Sequence, residues 1–262
     1  MKLIFLKIFL GLGALSIMCT TKVSEWVLLN SLPAEYTLVY YHNLPLAESV
    51  RKQNTDLSER IKTANIQLRE AGKKEAGDPY YALYYGKRLF KTFRTTAEMT
   101  DLTTSPLRRK IALELMSGKL CVMLYLTSDN KAKDEKGRKE IESALSGSPF
   151  RDVITLIPMS RNSMDESQFV NMLLNVESDL KSIPEPMLFG IFGRFKALEP
   201  LVANGITSEN VNLLINFLTA DCSCLIKDNL PGTDILFTNK WENPAPAMVN
   251  GILDANPGLQ HL

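Results

Sequence analysis

The chain has 262 residues, 45% of them hydrophobic and 23% charged, enough for one large core or two modest ones. Its formal net charge is +1, so no global field draws nucleic acid or an acidic partner to it. With two histidines, His42 and His261, a histidine-built metal site or triad is disfavoured from the outset.

The chain opens on a targeting signal. Lys2 and Lys7 flank the start of a short apolar stretch, Ile8 to Met18. That length suits a secretory signal and falls short of the roughly 20 residues of a spanning helix. Residues 1–18 read as a signal peptide, and the remainder as exported to the cell envelope, in the periplasm or on the outer surface. Cys19 ends the stretch, where a bacterial lipoprotein carries its acyl chain. Met18 is a poor residue before such a cut, while the polar Thr20-Thr21-Lys22 suits a tether. Lipidation at Cys19, with membrane anchorage, and an ordinary signal peptide with an incidental cysteine both stand.

Val23, Trp26 and Leu29 fall at helical spacing. Tyr36 to His42, rich in β-branched and aromatic residues, predicts a strand. Leu46 to Glu70 carries Val50, Leu57, Ile61, Ala64 and Leu68 on one helical face, with Ile66 off it. Ala71 to Pro79 is a breaker. Asp78 to Phe93 is dense in aromatics and fits helix or strand. Ser105 and Pro106 cap and open a helix to about Ser117, which Gly118 ends. Residues 19–118 thus read as a mainly helical α/β extension.

Leu120 to Leu126 is a continuous apolar run, as a strand buried on both faces requires. A charged amphipathic helix (Lys131 to Leu145), a second apolar run (Asp152 to Met159) and a helix over Glu166 to Leu180 follow. Pro184 and Pro186 precede a third strand, MLFGIF. Gly193-Arg194 turns into a fourth, about Ala197 to Val202, and Ser208 caps a helix carrying Val211, Leu214, Ile215 and Leu218. Asp234 to Phe237 reads as a last strand, and residues 239–262 as an irregular arm rich in Pro, Asn and Gly. Helices between the three apolar strands predict right-handed parallel crossovers, with the final hairpin as an antiparallel edge.

This order of elements, from Lys119 to Asp221, resembles thioredoxin-like folds. The expected class is α/β, a thioredoxin-like three-layer sandwich with a βαβαββα core in residues 119–238, preceded by the α/β extension. The resemblance implies a cis-proline at Pro186 beside the site. It also places reactive thiols of such enzymes in the loop Thr127-Ser128-Asp129-Asn130, which holds no cysteine. Cys19 with the apolar helix after it, LVYYHNLPL, and the stretches EPMLFGIFGRFKALEPLVANGI and NFLTADCSCLIKDNLPGTDILF are similar to uncharacterised exported bacterial proteins. That likeness implies a lipid-anchored envelope protein with a degenerate thioredoxin-like domain and brings no known activity.

Cys222-Ser223-Cys224 admits three readings: a structural disulfide, free thiols, or a redox or metal pair. Two thiolates without a neighbouring histidine are incomplete for zinc and easier to satisfy with copper(I). Cys121, in the apolar strand, is expected to behave as a small buried hydrophobe. His42 is a weak general-base candidate, with no acid partner or nucleophile placed by sequence. The tyrosines between positions 80 and 85 could line a sugar- or peptide-binding surface, half-buried packing being the commoner fate. No P-loop, GxSxG, HExxH or GxGxxG motif occurs. No catalytic residue, cofactor or resident metal is expected. The leading expectation is a non-catalytic envelope protein that binds a protein or peptide partner, at the hairpin's exposed edge or the groove beside Pro186. The alternative is a thiol-dependent redox or copper(I)-handling protein using Cys222 and Cys224.

Overall fold

The computed structural model describes residues 22–43, 45–72, 77–221, 230–239 and 241. The expectations for Cys19, Cys222, Cys224, the signal peptide and all of the C-terminal arm except Asn239 and Trp241 lie outside these residues. The first half holds α1 (Val23–Asn30), β1 (Tyr36–His42), α2 (Glu48–Ile61), β2 (Ile66–Gly72), β3 (Tyr80–Tyr85), β4 (Arg88–Phe93) and α3 (Pro106–Met116). The second holds β5 (Cys121–Thr127), α4 (Lys131–Gly147), β6 (Ile154–Ser160), α5 (Ser167–Leu173), β7 (Met187–Phe192), β8 (Lys196–Ala197), β9 (Leu201–Val202), α6 (Ser208–Thr219) and β10 (Thr233–Asp234). This is an α/β protein with two mixed sheets.

Local chemistry accounts for the helix starts. The Ser105 hydroxyl accepts from the backbone N–H of Arg108, and Pro106 gives up a donor that would be unsatisfied there anyway. Asn130 caps α4 by accepting from Lys133 N–H, and Thr207, one residue before the expected cap, does the same for α6 through Asn210. Ser208 instead donates its backbone N–H and hydroxyl to the Glu140 carboxylate, at 2.8 and 2.6 Å, tying α6 to α4.

The first sheet has the order β2-β1-β3-β4, and the second the order β10-β8-β7-β5-β6, with β9 also on β7. Their pairing follows one pattern. In each, two seven-residue strands joined by a helix lie parallel, β1 with β2 and β5 with β6. The third strand joins the other side of the first and runs antiparallel to it, and the fourth runs antiparallel to the third. Even the register agrees: Tyr80 opens β3 opposite Tyr41, the sixth residue of β1, and Met187 opens β7 opposite Leu126, the sixth of β5. A proline stands immediately before each third strand, Pro79 and Pro186. A glycine at φ +57°, Gly86 and Gly193, follows each one.

Several expectations need correction. Within the expected extension, residues 36–93 form four strands and one helix, with α1 and α3 on either side. Leu46 to Glu70 divides between α2 and β2, and Ile66, which misfits the helical face, is where the strand begins. The crossover from β6 does not return a parallel strand, since β7 is antiparallel to β5. The hairpin's edge is not open, because β10 pairs with β8. The expected disulfide is not found: Cys121 is free and fully buried, and no described cysteine has a bonding partner. The expected membrane anchorage rested on a lipid at Cys19, outside the described residues, and no described helix is long and apolar enough to cross a membrane.

The two sheets share one continuous core. Helix α3 follows the strands of the first sheet in sequence but packs along β5 of the second. At the seam, Phe195 stacks on Phe237 with centroids 4.5 Å apart, and Phe169 and Trp241 adjoin them. Arg108, fully buried, donates to the carbonyls of Leu102 (2.8 Å), Leu236 (3.0 Å) and Asp101, and lies over the Phe169 ring. Burial pulls its guanidinium down to about 10, still charged at neutral pH. Asp234 closes the seam from the other end. Its carboxylate pairs with Lys196 at 2.9 Å and accepts from Ala34 N–H, while its carbonyl accepts from the Tyr36 hydroxyl.

Candidate functional site

The C-terminal end of β5 opens into the loop 127–130 and the first turn of α4. Beside it runs the segment that carries Pro186 into β7, and next to that the 3-10 turn Ala203–Gly205 after β9. Between them lies a cleft of about 300 Å³, walled by Lys133, Lys136, Glu185, Pro186, Asn204 and Ile206. That is the lower end of the size range of small-ligand and peptide-side-chain pockets.

Each wall is held from behind. Arg161, at the end of β6, donates to the carbonyls of Ile183 and Glu185, which aligns the approach to Pro186. Burial lowers its guanidinium from the ordinary arginine range, against the opposing effect of Asp129. The Pro186 carbonyl accepts from Ala203 N–H at 3.0 Å. Ala203 is at φ +50°, a left-handed conformation that costs a residue with a Cβ roughly 1 kcal/mol. The surrounding hydrogen bonds hold that strain at the cleft. Lys133 crosses the mouth to Glu185 at 2.5 Å.

The loop before α4 has its polar groups engaged. Ser128 donates both its N–H and its hydroxyl to Asp134 Oδ1, at 2.8 Å each. Asn130 caps the helix, and Asp129 accepts from the Asn162 amide. The chain itself thus takes up the N–H groups of Ser128, Asn130 and Lys133 around this helix start. Ser128 has a carboxylate for a neighbour and no described histidine within its network, which is not the arrangement that activates a serine.

The other expected residues fall elsewhere. His42 is buried at the end of β1, stacked on Tyr40, with Nδ1 3.0 Å from the Asn43 carbonyl oxygen. It is far along the chain from the cleft and contacts no described nucleophile. Cys121 lies at the start of β5, where burial alone pushes its thiol up to about 12 and keeps it protonated. Tyr81 is buried and donates to Asn54 of α2 at 2.7 Å; Tyr85 packs on Tyr36. Tyr80 and Tyr84 are half-buried on the sheet's other face, Tyr84 with its hydroxyl 3.2 Å from that of Tyr41. Among the described residues no group of three or more His, Cys, Asp or Glu side chains is placed to hold a metal ion.

The structure therefore adds Lys133, Lys136, Glu185 and the turn at Ala203 to the predicted Pro186. Lys133 and Lys136 belong to a mixed-charge run that reads as solvated helix face, and nothing local marks an alanine for a left-handed turn. A larger cleft, about 690 Å³, lies between Leu32–Glu35, Lys62–Asn65 and the segment from Ile235 to Trp241. Its Arg194 is engaged with the Leu28 carbonyl at 2.7 Å, so it serves α1. No protein-family model matches this chain, and no curated protein matches it either.

Proposed function

We propose that this is an exported envelope protein whose second half is a non-catalytic thioredoxin-like domain, and that it binds a protein or peptide partner in the cleft beside Pro186. One observation carries the reading: a cleft braced by Arg161 and the strained Ala203 faces a helix start that holds no thiol. The strand order β6-β5-β7-β8, with one parallel and two antiparallel pairings, supports the thioredoxin-like reading. Likeness of fold supports architecture more than activity, so the functional weight rests on the cleft.

A photo-crosslinking residue at Asn204, in the cell that exports the protein, tests this. A discrete adduct with one envelope protein is expected, absent when the crosslinker sits at the exposed Leu213 on α6. Equal labelling from both positions would overturn the reading. So would reduction of insulin disulfides by the purified chain, if that activity disappears in Cys222→Ser or Cys224→Ser. The protein would then be thiol-dependent.

A further inference from the structure

The shared register of the two sheets lets each residue of β1 be matched to one of β5, and each of β3 to one of β7. In the second sheet, Tyr125 and Gly190 mark the face covered by α4 and α6: Tyr125 donates to the Asp134 carbonyl, and Gly190 lies against Leu214 and Leu218. The opposite face consists of Val122, Leu124, Leu126, Met187, Phe189 and Ile191, all 0% exposed. The matching residues of the first sheet are Thr37, Val39, Tyr41, Tyr80, Ala82 and Tyr84. Only Ala82 among them is buried; the other five are half-exposed.

Chain length accounts for part of the difference, beside α3, which packs along β5 of the second sheet. Between β6 and β7 run 26 residues (161–186), which include α5. Between β2 and β3 run seven (73–79), too few to build a covering helix and both of its connections. Tyrosine and threonine suit a face that is neither core nor plain solvent surface, since each adds a polar group to apolar bulk.

We infer that this face of the first sheet, which no described helix covers, is a docking surface for one amphipathic helix of a partner protein. Size favours that occupant. Four strands about 4.8 Å apart and six residues long make a face of roughly 14 by 20 Å. One helix about 10 Å across and about 13 residues long fills it. Charge specifies the flank. Beside Val39 stands Arg69 of β2, exposed, and it is the one formal charge among the described strand residues of the face. Leu89 of β4, beside Tyr84 and 53% exposed, supplies an apolar contact at the other side. The fitting helix has an apolar stripe with carboxylates along one flank.

Isotope-labelled chain from Thr20 onward, titrated with synthetic peptides of about 13 residues, tests the inference. One peptide carries a Leu/Phe stripe flanked by Glu, the second the same stripe flanked by Lys, and the third a scrambled order of the first. The Glu-flanked peptide is expected to shift the amide signals of residues 37–41 and 80–84. Val39→Lys should weaken it about tenfold. Arg69→Glu should reverse the preference in favour of the Lys-flanked peptide, with an unchanged melting temperature showing that the fold is intact. The inference is overturned if no peptide moves these signals or if the scrambled peptide does so equally. It is also overturned if the face proves to be a self-association surface by sedimentation, or responds to oligosaccharides instead. A peptide that moves only signals around Pro186 overturns it and leaves the cleft reading in place.

Discussion

In β5, six of seven residues are buried, while β1 alternates buried and half-buried along its whole length. The two strands occupy the same position in sheets of the same pairing pattern, so backbone geometry is not the source of the difference. What differs is the connection after the second strand: 26 residues with a helix in one half, seven in the other. A sheet covered on both faces demands a run of apolar side chains, and a sheet covered on one face demands alternation. The composition of the strands follows this cover, which in the second half includes α3 along β5 as well as the longer connection.

The comparison can be broken most forcefully at the matched pair Leu124 and Val39. Leu124→Ala leaves a hole in a fully buried layer and should cost about 2–5 kcal/mol. Val39→Ala, at the half-exposed equivalent, should cost about 1 kcal/mol or less. Urea unfolding of both variants decides. Equal losses would mean that the first sheet's outer face is covered as thoroughly as the second's.

A smaller contrast is set at the two turn glycines. Both are at φ +57°, so either Gly→Ala change should cost about 1–2 kcal/mol from backbone conformation alone. At Gly86 an added Cβ meets open space, whereas at Gly193 it would lie 2.3 Å from Val27 Cγ1 of α1. Gly193→Ala should therefore cost about 1–3 kcal/mol more, as overpacked sites do. Thermal melts of the pair measure this, and equal costs would show that α1 yields freely.

The smallest effect concerns how α1 is fastened to the second half. Burial raises the Glu25 carboxyl above the ordinary carboxylate range, opposed by the Lys22 N–H and ammonium and reinforced by Asp221. A raised carboxyl binds its proton more tightly in the folded state, so its contribution is greatest below the ordinary carboxylate range. It is lost as pH rises through the folded value. Denaturant midpoints taken from acid towards neutral pH should fall in the native chain relative to Glu25→Gln. Parallel curves would show that Glu25 is hydrated instead of buried.

Much of the second half was legible in sequence because β5, β6 and β7 are nearly uninterrupted apolar runs. The first half was less so, for reasons visible at single residues. Ile66 looked like a flaw in one long helix when it marked a new strand, since a polar edge strand such as IQLREAG has no strong period of its own. The aromatic stretch from Asp78 to Phe93 fitted helical spacing through Tyr81, Tyr84 and Tyr85, but cross-strand pairing with β1 and β4 settled it as a hairpin. Of the cleft, Pro186 could be anticipated. Arg161, Glu185 and Ala203 meet there only because segments distant in sequence converge.

By itself the sequence determined where β5, α4, β6 and β7 lie and that the loop before α4 has no thiol, which are properties of local composition and spacing. The helix expected to Leu180, by contrast, stops at Leu173, and the expected fourth strand divides into β8 and β9. Only the tertiary structure decided that β7 runs antiparallel to β5, that α3 leaves its own sheet to pack along β5, and that Arg108 is buried among carbonyls. Strand direction and helix destination depend on connections and on partners remote in the chain. Local periodicity records that a face is apolar, not which surface will cover it.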